Sequence, residues 1–342
     1  MLIAIQNMIS LHFYPSLISK YRQILLGIGA IGVELAHNVR WNEWPWFFSI
    51  PSSIISAMVF TEGFLFLSGF GLYYSLDNNN NLLDFFKKRV YRLYVPFAII
   101  LLLFSVINVI CNYSSISDVL NDLACIPWFW GYGGYWYVAI SLFLYLIYPW
   151  VHKYVFASGR SPLLLLLALI CIMYVINLLL SIYYHSYFAS VEIGIMKAPV
   201  FFVGAFCGYL SKRCECIKYC VPILAILVIA AFVWRFCIYN SFSHSISSIV
   251  LRLLCIVIIC NYLSKNHTFC QSLLVFFNWA GKYSLEIYLL HMMIYVLLNN
   301  ITKSLGLDDY KAIITLLNIP LALLLCSPIQ KFCKIVVNYI SK

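Results

Sequence analysis

Ten apolar runs, most about 20 residues long, follow one another along this chain with only short polar breaks between them. A helix of about 20 residues crosses the hydrocarbon of a bilayer, where the backbone has to satisfy its own hydrogen bonds. The expected fold class is therefore all-α: a polytopic membrane protein of about ten transmembrane helices. The runs fall near 24–39, 52–75, 90–110, 136–151, 162–183, 195–210, 221–239, 246–263, 284–298 and 312–326. Composition agrees, since 63% of the 342 residues are hydrophobic and 10% are charged. A soluble domain carries about 25% charged residues.

The net charge of +10 is not a nucleic-acid signal, because the basic residues sit in short loops where topology demands them. With the N-terminus inside, sixteen Lys and Arg lie on the inner side. The other six are Arg40, Lys197, Arg235, Arg252, Lys303 and Lys311. That asymmetry predicts both termini in the cytosol. Residues 1–20 mix Leu11, Phe13, Tyr14 and Leu17 with polar groups and read as an interfacial lead-in without a cleavage site. Residues 21–330 read as a single transmembrane domain, and 331–342 as a cytosolic tail. The 13 cysteines are scattered, which argues for packed thiols and against a disulfide framework. Cys214 and Cys216 lack a second pair or a neighbouring His, so no metal is expected.

Ionisable groups within spans are costly and mark candidate sites. Glu34 and His37 are spaced i, i+3 on one face of the first span. An imidazole beside a carboxylate suits general-base chemistry toward a hydroxyl, and it equally suits a helix-end hydrogen bond to a neighbouring span. Glu62 in the second span reads as an interhelical partner, with Arg40 or Arg252 as its cation. At Ser68-Gly69-Phe70 the glycine lets a helix or a ligand approach the backbone. The cluster Lys87, Lys88, Arg89 and Arg92 opens the third span. Arginine forks suit phosphate, whether of a cytosolic cofactor or of lipid headgroups, and a plain topological anchor is the other reading. Lys197 precedes Pro199 where the sixth span starts, and could line a cavity. In the ninth, Glu286 and His291 are five residues apart and diverge, so His291 reads first as a structural hydrogen-bonding group.

Taken in order, these elements resemble the acyltransferase 3 family, bacterial membrane enzymes that O-acylate surface polysaccharides. The resemblance lies in His37 near the end of the first helix and in Phe64–Phe70 as an FF-x-x-SGF-like second helix. It continues through Phe85–Arg92 with Pro96, Trp136-Tyr137 through Tyr145 and Pro149, Lys197–Gly204, and Gly281–His291. Two positions depart from the pattern. Leu26 stands where members often carry an Arg eleven residues before the His, with Arg22 as the nearest substitute, and Lys197 replaces an Arg.

The resemblance implies a multi-pass protein of the bacterial cytoplasmic membrane. It implies an acyltransferase that uses acyl-CoA, most often acetyl-CoA, as co-substrate. The phosphates would sit near Lys88, Arg89 and Arg92, with Ser68 and Gly69 beside the cofactor. His37, with Glu34, would deprotonate a hydroxyl of a glycan or lipid-linked saccharide, or relay the acyl group. Glu62, Lys197, Glu286, His291, Trp136 and Tyr137 would shape the cavity. The competing class is a transporter or flippase of a lipid-linked glycan. A lipid-binding scaffold explains the basic loop but not the acids within spans.

Overall fold

A computed structural model describes residues 12–42, 61–78, 81–130, 135–265 and 271–341. Among them, eight helices are long and apolar enough to cross a membrane: Leu82–Ile110, Trp136–Phe156, Pro162–Tyr183, His185–Lys212, Cys220–Cys237, Ser241–Lys265, Ser284–Ser304 and Asn318–Ile340. These correspond to the last eight predicted runs. The first two correspond to α1 (Ser16–Asn42) and α2 (Thr61–Asn78), which pack into the interior and are less apolar. The stretch 52–60 of the predicted second span lies outside the described residues. The last run is displaced: its helix starts at Asn318 and continues to Ile340, through most of the segment read as a tail. A two-residue pairing, His12–Phe13 with Ile217–Lys218, ties the lead-in to a basic loop.

Two helix crossings fix the centre. A Cβ on Gly69 would collide with the Phe201 carbonyl, and one on Gly204 with the Phe66 carbonyl, so α2 lies directly against the helix Ala198–Lys212. Gly27 and Gly281 meet the facing backbones of Phe277 and Gln23 in the same way, seating α1 on Gln271–Lys282. In lipid, where apolar burial between helices gains little, such close backbone contact supplies the packing energy. Around these crossings Leu25, Leu65, Phe70, Phe97, Phe201 and Phe202 are buried.

Two prolines reshape the helices near the basic loops. Pro96 has no N–H to give to residue 92, and the preceding backbone widens into a π turn over Val90–Tyr94, closed by Val95 N–H to the Val90 carbonyl. Pro149 precedes a second such turn at His152–Phe156. The first turn lies between Arg89 and the helix interior and contains Arg92. One end of the bundle therefore gathers Arg22, Arg89, Arg92, Lys212 and Lys334 and is called the basic end below. The far end carries His37, Lys197 and the start of Ser241–Lys265.

Candidate active site

Two connected chambers open at the basic end. The inner one, about 180 Å³, is lined by Arg22, Ser68, Arg89, Arg92, Tyr137, Tyr145 and Tyr288, among others. The outer one, about 500 Å³, shares Arg22, Leu26, Arg92, Ser284 and Leu285 with it and adds Lys282, Glu286, Gln330 and Lys334. Arg22 reaches from α1 across Gly71 and donates to the Leu67 carbonyl at 3.3 Å. Arg89 donates to Ser75 Oγ at 2.6 Å, with its guanidinium 5.2 Å from the Phe85 ring centroid. Ser68 Oγ bonds the Tyr145 hydroxyl at 2.8 Å. Among the described residues, no carboxylate lies within ion-pair distance of Arg22, Arg89 or Arg92.

Above the inner chamber stands a trio of buried rings. Phe64, Tyr137 and Tyr288 meet edge to face, with centroids 6.0 Å (Phe64–Tyr137), 6.4 Å (Phe64–Tyr288) and 5.2 Å (Tyr137–Tyr288) apart. Tyr288 also packs on His291, 5.5 Å between centroids. His291 in turn meets His37: Nδ1 of His37 lies 2.9 Å from Nε2 of His291, and the rings are stacked 5.2 Å apart. His291 is fully buried, whereas His37 is partly accessible.

His37 opens into a far-end chamber of about 520 Å³, lined also by Thr61, Glu62, Trp136, Glu192, Lys197, His244, Ser248 and Arg252. Glu62 is its structural centre, only 1% exposed. It binds Lys197 Nζ at 3.3 Å and Arg252 Nε at 3.2 Å, and accepts from Ser248 Oγ at 3.1 Å. Arg252 also holds Ser248, and Lys197 Nζ lies 5.1 Å from the Trp136 ring centroid. A carboxylate out of water is tolerable here because two cations and hydroxyl donors replace its hydration.

The predicted residues thus divide. His37, Glu62, Trp136 and Lys197 come together at the far chamber. Ser68, Arg89, Arg92 and Tyr137 share the inner basic chamber, and Glu286 lines the outer one. Gly69 is taken up by the helix contact with Phe201, and Lys88 is exposed and lines neither basic-end chamber. Among the described residues, neither carboxylate oxygen of the buried Glu34 has a hydrogen-bond partner, and His291 is bonded to the His37 ring. Of Arg40 and Arg252, Arg252 bonds Glu62, while the Arg40 side chain lies outside the described residues. Sequence reasoning did not find Gln330, Lys334, Ser248 or His244. None of them stands in a motif, and only the packing of distant helices brings them to a chamber.

A family model described as an acyltransferase domain matches residues 27–329, nearly the whole chain. The chain belongs to the acyltransferase 3 family. It is accordingly a multi-pass membrane acyltransferase. No curated protein and no solved structure matches it.

Proposed function

We propose that this membrane acyltransferase moves an acetyl group from acetyl-CoA, bound at the basic end in the cytosol, to a hydroxyl of a surface glycan or lipid-linked saccharide in the far chamber. One observation supports this above the rest. A strongly basic chamber and a charge-balanced one lie at opposite ends of the bundle, and a buried ring trio and a histidine pair occupy the space between them. Phosphates suit Arg22, Arg92, Lys282 and Lys334, where no carboxylate pairs with the arginines. The thioester arm would then enter the inner chamber past Ser68 and Tyr145 and reach His37 beyond Phe64, Tyr137 and Tyr288.

In the reaction His37 takes the proton of the acceptor hydroxyl as its oxygen attacks the thioester carbonyl. The C–O bond forms and the C–S bond breaks. The departing sulfur takes the proton back from His37, so ester and free CoA thiol leave with the base restored. At the far end Trp136 offers a flat apolar face to a sugar ring, while Asn240, Ser241 and Ser248 offer hydrogen bonds. Because Glu62 and Glu192 balance the charges of Lys197 and Arg252 there, an uncharged polyhydroxy acceptor suits that chamber better than an anion.

The test is the glycan itself. Envelope glycans from bacterial cells carrying the chain, or its His37→Ala form at equal membrane abundance, are weighed by mass spectrometry. A mass increment of one acetyl ester with the intact chain alone supports the proposal. Equal glycan masses with altered glycan export would transfer the reading to a transporter.

A further inference from the structure

His291 Nδ1 lies 3.2 Å from the Ile287 carbonyl oxygen, one turn back on its own helix. A carbonyl only accepts, so His291 Nδ1 carries a hydrogen. His291 is fully buried, and a second proton would place a cation out of reach of bulk solvent. The neutral ring then has its lone pair on Nε2. That nitrogen faces His37 Nδ1 at 2.9 Å, so it accepts and His37 Nδ1 donates. With Nδ1 protonated, neutral His37 holds its lone pair on Nε2. We infer that His291 is a positioning residue: through the Ile287–His291–His37 chain of hydrogen bonds it fixes His37 in the tautomer whose Nε2 is the base.

This rests on the reading of His37 as the base, and it assigns to an imidazole the part that a carboxylate plays in a Ser-His-Asp triad. The two devices differ in one respect. A carboxylate stabilises the imidazolium that forms during the reaction by charge, whereas neutral His291 offers only a lone pair. Orientation and tautomer are therefore its whole contribution, and Glu34, the nearer acid in sequence, makes no hydrogen bond to the ring. Were the two rings to exchange roles, with His291 Nε2 donating, His291 would be either doubly protonated or turned from the Ile287 carbonyl. The first costs desolvation of a charge, and the second gives up the ring's own hydrogen bond to the Ile287 carbonyl.

Two variants separate this role from packing. Gln places a carboxamide oxygen near the position of Nε2 and can accept from His37 Nδ1, while Leu fills similar space and cannot. Transfer of label from radiolabelled acetyl-CoA into the cells' own envelope membranes is measured with the purified full chain. His291→Leu is expected to lower kcat about a hundredfold. Its KM for acetyl-CoA should stay within about twofold, because the basic chambers are untouched. His291→Gln should recover at least about tenfold of that loss, the share expected of a restored hydrogen bond. A second readout needs no acceptor and no activity: in the ¹⁵N spectrum of the histidine-labelled chain, His37 should be protonated at Nδ1, and in His291→Leu should shift toward protonation at Nε2.

Equal kcat for Leu and Gln, or a His37 Nε2–H signal in the unaltered chain, would overturn the inference. Full activity of His37→Ala would instead remove the reading on which it stands. A His37 tautomer that still follows His291 in that case would leave the hydrogen-bond chain intact as structure and strip it of its catalytic role.

Discussion

The two ends of the bundle treat buried cations in opposite ways. At the far end Lys197 and Arg252 are bound to Glu62, and the acids and bases lining that chamber balance two against two. At the basic end Arg22, Arg89, Arg92, Lys282 and Lys334 line connected chambers with Glu286 as the sole carboxylate among the lining residues. Internal compensation makes a permanent, neutral polar site. Uncompensated guanidinium groups in a low-dielectric setting leave an attraction that an incoming anion can satisfy. This difference is the ground on which the proposed function puts the phosphate-bearing substrate at one end and the hydroxyl-bearing substrate at the other.

The largest effect that would break this comparison comes from Glu62. Glu62→Gln leaves two largely buried cations without their counter-charge and should cost about 3 kcal/mol, the scale for one broken side of a buried ion pair. The unfolding midpoint of the purified chain in detergent reports it, and adding Lys197→Met should return part of the loss. No change in the midpoint would mean that the far end is not compensated as described. At the other end, Arg92→Ala should weaken acetyl-CoA binding about 10- to 100-fold through loss of a charge-assisted contact, with the midpoint little altered. Scintillation binding with labelled acetyl-CoA measures this, and an unchanged Kd would remove the phosphate assignment. Smaller still, Phe64→Ala opens the ring trio above the inner chamber. It should shift the preference between acetyl- and butyryl-CoA about tenfold toward butyryl, the scale of one or two methylenes in an apolar pocket. Lys88→Ala should change acetyl-CoA binding less than about twofold, since Lys88 is exposed and outside both basic-end chambers.

Hydropathy located the spans well where a helix is apolar on all sides, as in Pro162–Tyr183. It misplaced the last one. The apolar run at 312–326 is the more hydrophobic stretch, but the helix Asn318–Ile340 continues through Lys331 and Lys334, which sit at the basic end where charge is tolerated. The missing Arg at Leu26 was legible as a gap but not in its resolution. Arg22 lies one turn earlier, and its side chain crosses Gly71 to the Leu67 carbonyl and lines both basic-end chambers, a placement no spacing rule contains. The i, i+3 spacing of Glu34 and His37 is real, yet helix rotation directs His37 to His291, 254 positions away in sequence. Arg252 was named among the partners of Glu62 because few cations lie within spans. Ser248, which joins that pair, carries no charge and gave no such signal.

The most direct test of opposite-end substrates is sidedness. Envelope membranes bearing the chain are sealed as vesicles of known orientation, and labelled acetyl-CoA is supplied to one face at a time. The account predicts labelled ester on glycan of the far-end face only when the donor is on the basic-end face. Equal labelling from either face, or labelling confined to glycan on the donor's own side, would contradict it.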